Sequence, residues 1–501
     1  MNIRETKQAI IDALEAYRAR DKYGSPIIPV ERQRPIYMEG APGIGKTAIM
    51  KQIAEELEIP LVSYSMTHHT RQSAMGLPYI EEAEFEGVPT RVTKYTMSEI
   101  IATIYHAIEA SGSQEGILFL DEINCVSETL SPVMLQFLQS KEFGGHRVPD
   151  GWIIVTAGNP VEYNESAHDF DIVTLDRLSH IIVESDYSVW REYAVSEQVF
   201  PAILSYLDTY KDDFSRIETT VDGKQFVTPR SWMDLSEMLR YYDDTGKEIN
   251  LSLIARYIQS RDIAKRFAHY YDLWCKYRAD YEIPQILAGN ESEDVHEMAK
   301  NARFDERVAL VGLLGDGITR IAEPVINQQA MLAKLGETLK QIRNRSAEEQ
   351  IPFKTALSQI ADEHLSMLDK KRTVAAISTG DEYTIRTQLD VLKDYEDLLS
   401  DENDFASGYD ALKHDLDIRR KHLKKYSAIV GSSLDNLFSF ADDVFGDSSE
   451  MVLLVTELTS SPVIAGYIAT YGSDAYARHA NILNFHARNL DLLKEIDSLG
   501  A

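Results

Sequence analysis

The eight residues Gly40, Ala41, Pro42, Gly43, Ile44, Gly45, Lys46 and Thr47 constrain the fold of this chain more than any other segment. They fit the spacing G-x-x-x-x-G-K-[ST]. The match carries weight because an apolar run at 35–39 precedes it and a helix-length stretch at 47–57 follows. Glycines at 40, 43 and 45 free backbone N–H groups to curl round an anion without Cβ clashes, and the helix beyond adds its positive end. Lys46 would then reach the β- and γ-phosphates of a nucleoside triphosphate, and Thr47 would give its hydroxyl to magnesium. A strand–loop–helix unit of this kind belongs in an α/β domain with a mostly parallel sheet.

Other strands for that sheet are legible up to about residue 185. Apolar runs at 61–65, 116–121, 152–157 and 180–184 alternate with helical stretches such as 98–110. The run ILFLDE, Ile117 to Glu122, ends in two acids. Asp121 is placed to hold the magnesium through water, and Glu122 to polarise an attacking water. A solvated turn would also end in acids, but not after so apolar a strand. Asn159 directly follows the 152–157 run, where its amide could orient water against the γ-phosphate; as a bland turn residue it would simply precede Pro160. Arg177, in LDRL just before the last strand, would neutralise charge on a neighbouring subunit's phosphate, unless Asp176 holds it in a local salt bridge. In TPRS at 228–231, Thr228 caps a helix and Pro229 enters its first turn, so Arg230 would reach back from a helical lid.

The 501-residue length exceeds one core and calls for two or three domains. Beyond about 186 the strand pattern stops, apart from a short hairpin near 217–226. Apolar residues then recur at helical spacing, as in Leu332, Leu335, Leu339 and Ile342, and again in Leu490, Leu493 and Ile496. Polar stretches at 288–293 and 400–407 read as linkers. Eighty acidic against 51 basic residues leave a net charge of -29, a field that disfavours nucleic acid and anionic membranes. No apolar stretch reaches the roughly 20 residues of a membrane-spanning helix. The N-terminus lacks a leader pattern, so a cytoplasmic location is expected. Cys125 and Cys275, the two cysteines, are expected to be reduced, buried thiols. His68 and His69 are adjacent and would point to opposite faces of a strand, a poor metal site. The 26 tyrosines are scattered without basic company, a pattern that does not favour stacking on nucleobases.

In order, these motifs resemble an AAA+ ATPase, and within that superfamily the MoxR group. The likeness rests on Asp121-Glu122-Ile123-Asn124, on LQFL at 135–138, PDGW at 149–152, AGNP at 157–160 and TPRSW at 228–232, and covers about residues 30–280. It implies ATP and Mg2+ as ligands. Lys46 and Thr47 would be the Walker A residues, Asp121 and Glu122 Walker B, Asn159 sensor 1, Arg177 the arginine finger and Arg230 sensor 2. It also implies a β-hairpin inserted in helix 2 at 76–96, its tip at 86–88, facing a central pore. The resulting expectation is α/β followed by all-α: an AAA+ P-loop core with a mostly parallel sheet at 1–185, a helical lid at 186–285, and a helical C-terminal domain at 286–501 for a partner or substrate.

Function follows as an expectation too: an ATPase working as a homo-oligomeric ring, usually a hexamer, that remodels or matures a client protein, with a von Willebrand factor A domain partner. The alternatives are a nucleotide-gated scaffold with little turnover, a chelatase-like subunit, or a DNA-directed motor. Two departures from the group stand out. Cys125 occupies the place where an arginine commonly follows DEIN, and the finger motif reads LDRL in place of a form ending in Phe.

Overall fold

The computed structural model describes residues 1–480 except 69–73, 86–87, 128, 165, 221–222, 374–378 and 400–404. The described chain groups into two compact units, Met1–Val189 with His364–Glu382, and Trp190–Glu363 with the described residues from Tyr383 onward.

The first unit is organised by five parallel strands: β1 (Ile36–Gly40), β2 (Leu61–Ser65), β5 (Gly116–Asp121), β8 (Trp152–Gly158) and β9 (Ser179–Val183). Their order is β2-β5-β8-β1-β9, every pair parallel. Because side chains alternate along a strand, the central strands β1, β5 and β8 each feed two cores. Ile36, Met38, Ile117, Phe119, Ile153 and Val155 pack with α1 (Ile3–Arg18) and α2 (Lys46–Glu56). Tyr37, Leu118, Leu120, Trp152 and Ile154 face α3 (Glu99–Ser111) and α4 (Ser131–Ser140) on the other side. This double burial is why β5 and β8 in particular read as unbroken apolar runs. The helix starts are equally local: Ser98 caps α3 by accepting from the Ile101 N–H.

Two small ribbons decorate this unit, β3 (Pro78–Phe85) with β4 (Val88–Tyr95), and β6 (Glu142–Phe143) with β7 (His146–Arg147). The first falls within the expected insertion; 86–87 of its expected tip lie outside the described residues. Tyr79, Ile80, Phe85 and Val88 of this ribbon are exposed. The short α5 (Ile172–Leu175) lies between β8 and β9.

The second unit is helical. It takes in α6 (Tyr187–Ser196) from Trp190 onward, α7 (Pro201–Thr209), the expected hairpin as β10 (Arg216–Thr220) and β11 (Gly223–Val227), and α8 (Pro229–Asp244). Helices α9 (Leu251–Tyr257), α10 (Arg261–Asp280), α11 (Ile283–Ala288) and α12 (Glu293–Asn301) follow, then the 45-residue α13 (Phe304–Glu348). Further along the chain come α14 (Phe353–Thr373), which from His364 onward falls in the first unit, α15 (Thr379–Leu398), which belongs to the second from Tyr383 onward, α16 (Phe405–Val444), α17 (Ser449–Ser460) and α18 (Pro462–Tyr471). Leu332, Leu335, Leu339 and Ile342 are buried on α13, as their spacing required. Leu490, Leu493 and Ile496 lie outside the described residues. Of the expected linkers, 289–292 joins α11 to α12, whereas 405–407 already belong to α16 and 400–404 are not described.

Among the described residues no single helix is long and apolar enough to cross a membrane; the bent pair α17–α18 passes on length and composition only, with an 82° break. Met451, Leu454, Val455 and Leu458 of α17 are buried. The expectation of buried thiols needs correction: Cys125 is half-buried and Cys275 is exposed on α10. A helix-length stretch offers a cysteine both faces, and Cys275 falls among the polar ones.

Candidate functional site

The strand order puts the ends of β1 and β5 on either side of β8, so three loops converge at the carboxyl edge of the sheet, where open α/β sheets bind ligands. β1 delivers the glycine loop. Gly43 and Gly45 have φ of 76° and 106°, values that a side chain would strain, and Gly45 is the N-cap of α2. Lys46, the first residue of α2, is buried. Its Nζ donates to the Gly40 and Ala41 carbonyls at 2.7 and 2.9 Å, and to Asn159 Oδ1 at 2.9 Å. The lysine is thus held across the loop and tied to the end of β8.

β5 delivers the acids. Thr47 Oγ1 donates to Asp121 Oδ2 at 2.8 Å, joining the first turn of α2 to the end of β5. Glu122 sits in the left-handed region with φ 56°, and its N–H donates to Asp121 Oδ1 at 2.9 Å. That turn swings its carboxylate toward β2, where Oε2 accepts from Ser65 Oγ at 2.8 Å and Thr67 Oγ1 at 3.3 Å. Register explains the contact: Ser65 pairs with Asp121 across β2 and β5.

Asn159 is fixed from behind. Buried Asn124 donates from Nδ2 to the Asn159 carbonyl at 2.8 Å, while its own carbonyl accepts from the His168 N–H at 2.9 Å. Gly158 makes this approach possible, because a Cβ there would come within 2.5 Å of Asn124 Oδ1 and 2.7 Å of Tyr37 Oη. Burial raises the Tyr37 hydroxyl far above its ordinary value, helped by the carboxylates of Glu39 and Asp169. Cys125 accepts from Asn164 Nδ2 at 3.2 Å; burial, then the charges of Glu122 and Asp121, push its thiol up.

Lys46, Thr47, Asp121, Glu122 and Asn159 therefore meet in one place, with the whole loop from Gly40 to Thr47. Arg177 lies in the same unit, after α5, exposed and without an ion pair among the described residues; the local bridge to Asp176 is not formed. Arg230 belongs to the second unit, exposed in the first turn of α8, with Thr228 and Ser231 forming a reciprocal cap ahead of it. His69 is outside the described residues, and the side chain of His68 is not described either. Sequence reading missed Ser65, Thr67 and the bond from Asn124 to the Asn159 carbonyl; only the pairing of β2 with β5 and the approach at Gly158 bring these groups in.

Thr47 Oγ1 and Asp121 Oδ2 are hard oxygen donors within hydrogen-bond reach of each other, a set that suits Mg2+, which keeps several waters and takes the rest of its shell from few carboxylates and phosphates. Among the described residues no group of three or more His, Cys, Asp or Glu side chains could hold a metal. A cation here would thus complete its shell with water and substrate oxygens.

Residues 36–167 match the model of the ATPase family associated with various cellular activities (AAA). No curated protein matches the chain. Among solved structures, a RuvB mutant from Thermotoga maritima is similar at 16% identity, over 60% of this chain and 75% of that one, with a TM-score of 0.26. So slight a superposition bears no functional weight. The chain carries an AAA ATPase domain, and its parallel sheet with flanking helices and a helical C-terminal region is an AAA+ architecture.

Proposed function

We propose that this chain hydrolyses ATP with Mg2+ as a MoxR-like AAA+ protein, assembles into a ring, usually a hexamer, and remodels or matures a client protein. The observation that carries the reading is the meeting of Lys46, Thr47, Asp121, Glu122 and Asn159 around one loop. In this reading the loop N–H groups and Lys46 grip the β- and γ-phosphates, while Asn159 sits beside the γ-phosphate and positions water. Thr47 and Asp121 would hold the magnesium, whose chemistry when bound is to neutralise charge on the phosphate oxygens. Glu122 takes a proton from the attacking water once its carboxylate leaves Ser65 and Thr67.

Arg177 acts on the phosphate of a neighbouring subunit; its exposed side chain supports this. Arg230 serves the same nucleotide from the lid. We keep 1–185 as core, 186–285 as lid and 286–501 as a partner- or substrate-binding domain. The exposed apolar residues Tyr79, Ile80, Phe85 and Val88 support client contact by the β3–β4 ribbon. A von Willebrand factor A domain protein is the proposed partner, and the cytoplasm the proposed location.

The test compares wild type with Glu122→Gln and Lys46→Ala. Phosphate release by Glu122→Gln should fall by at least about 100-fold with ATP binding retained, since a positioned base contributes about that much. Lys46→Ala should no longer bind ATP. Wild-type turnover no faster than Glu122→Gln would instead favour a nucleotide-gated scaffold.

A further inference from the structure

The second unit contains a cavity of about 200 Å³ between α6, α7, α8, α13 and α17. Its apolar wall includes Val195, Val199, Phe200, Leu204 and Leu458, and its charged lining sets Arg240 and Arg320 against Asp244, Asp316, Glu323 and Glu457. The arginines are outnumbered, and Arg320 is already engaged by Asp316 at 2.8 Å and Asp243 at 3.7 Å.

Glu457 is the unusual member. Its side chain is 12% exposed, and its Oε2 lies 3.4 Å from Arg191, a long bond to a guanidinium that Asp208 grips twice, at 2.7 and 2.9 Å. Oε1 accepts no hydrogen bond among the described residues. It rests against α13 at Gly315, where a Cβ would come within 2.6 Å of it. Glycine in a helix interior is less favourable than alanine, so α13 gives up local stability to leave room for this carboxylate. A largely buried carboxylate whose one hydrogen bond, to Arg191, is long stands in a chamber with more acids than arginines, which favours a further positive charge, and the apolar wall suits an aliphatic stem.

We propose that this cavity binds a protonated aliphatic amine, its ammonium on Glu457 and Asp316 and its carbon chain against Val199, Leu204 and Leu458. At roughly 30 Å³ per water-sized group, the chamber takes about seven non-hydrogen atoms. The size suits a free diamine or the lysine side chain of a partner protein. Burial, opposed by Arg191 and reinforced by the charges of Asp208 and Asp316, pushes the Glu457 carboxyl up to about 7. The amine needs the ionised carboxylate, so its affinity rises as pH goes from 6 to 8. Arg240 and Asp244 on α8, and Arg320 and Glu323 on α13, also face the chamber and set the background field.

The test is calorimetric titration of the full-length protein at pH 6 and pH 8 with 1,5-diaminopentane, Nα-acetyl-lysine methylamide and 1,5-pentanediol. The expected result is saturable binding of an amine, tighter at pH 8, at least about tenfold weaker in Glu457→Gln and in Gly315→Ala, and absent for the diol. Tighter binding of the diamine identifies a free metabolite as the source, and tighter binding of the lysine amide a partner's side chain. Glutamine is the neutral shape that burial favours, so Glu457→Gln should fold, as its circular dichroism and unchanged ATP binding would verify. The proposal is overturned if neither amine binds by about 10 mM, if wild type and Glu457→Gln bind alike, or if the diol binds as well as the amines.

Discussion

Glu457→Gln should raise the stability of the second unit at pH 8 and leave it nearly unchanged near pH 4. The buried Glu457 carboxyl is displaced from an ordinary 4.5 to about 7, mainly by desolvation. Between these values the folded protein holds a proton that the unfolded chain has released. Proton binding thus favours the folded state less and less as pH rises, so wild-type stability falls from about pH 4.5 to 7 and levels off above. At about 1.4 kcal/mol per pH unit, the loss amounts to about 3 kcal/mol. Glutamine has the shape of the protonated acid and nothing to titrate, so the variant escapes the loss while Asp208 still holds Arg191.

The assay is urea unfolding followed by tryptophan fluorescence at several pH values. Trp190, Trp232 and Trp274 belong to the second unit and report on it directly, whereas Trp152 belongs to the first. The quantity of interest is the stability difference between variant and wild type, which cancels every other titrating group. It should grow by about 3 kcal/mol between pH 4 and pH 8. A difference that stays flat would mean that the carboxylate is not desolvated; one that shrinks would mean that the attraction of Arg191 outweighs burial.

Gly158→Ala should cost about 1–3 kcal/mol of stability in urea unfolding, because the new Cβ must displace Asn124 or Tyr37. The same shift should slow ATP turnover by about ten- to hundredfold through Asn159, although residue 158 touches no phosphate in the proposed mechanism. Arg177→Ala should lower steady-state turnover of the assembled protein by about 1000-fold, as loss of an arginine finger does, and leave ATP affinity measured in dilute protein unchanged. Unaltered turnover on assembly would remove Arg177 from the mechanism.

Much of the proposed nucleotide site could be read from spacing because its parts are covalently local. The loop, the helix that opens at Lys46 and the acids that end β5 each follow from a few neighbouring residues, and strand edges moved by one residue or so. The glutamate's surroundings were different. Ser65 and Thr67 reach Glu122 only because β2 pairs with β5 in one register, and a shift by one residue would send Ser65 to the other face. Asn124 was visible as a motif letter, but its bond to the Asn159 carbonyl depends on how closely β8 passes at Gly158.

The second unit carries the contrast furthest. Its helices were legible from apolar periodicity, since a stripe at three- and four-residue steps needs only local geometry. The chamber was not. Arg191, Asp208, Gly315 and Glu457 come from four helices, and no spacing rule links them. By itself the sequence determined which segments become helices or strands and which loop carries the glycine-lysine pattern proposed to grip phosphate, because those features follow from interactions among neighbours along the chain. Tertiary structure alone decided which carboxylate is stranded beside an apolar wall and which hydroxyls hold Glu122, because burial and charge pairing depend on distances that folding creates.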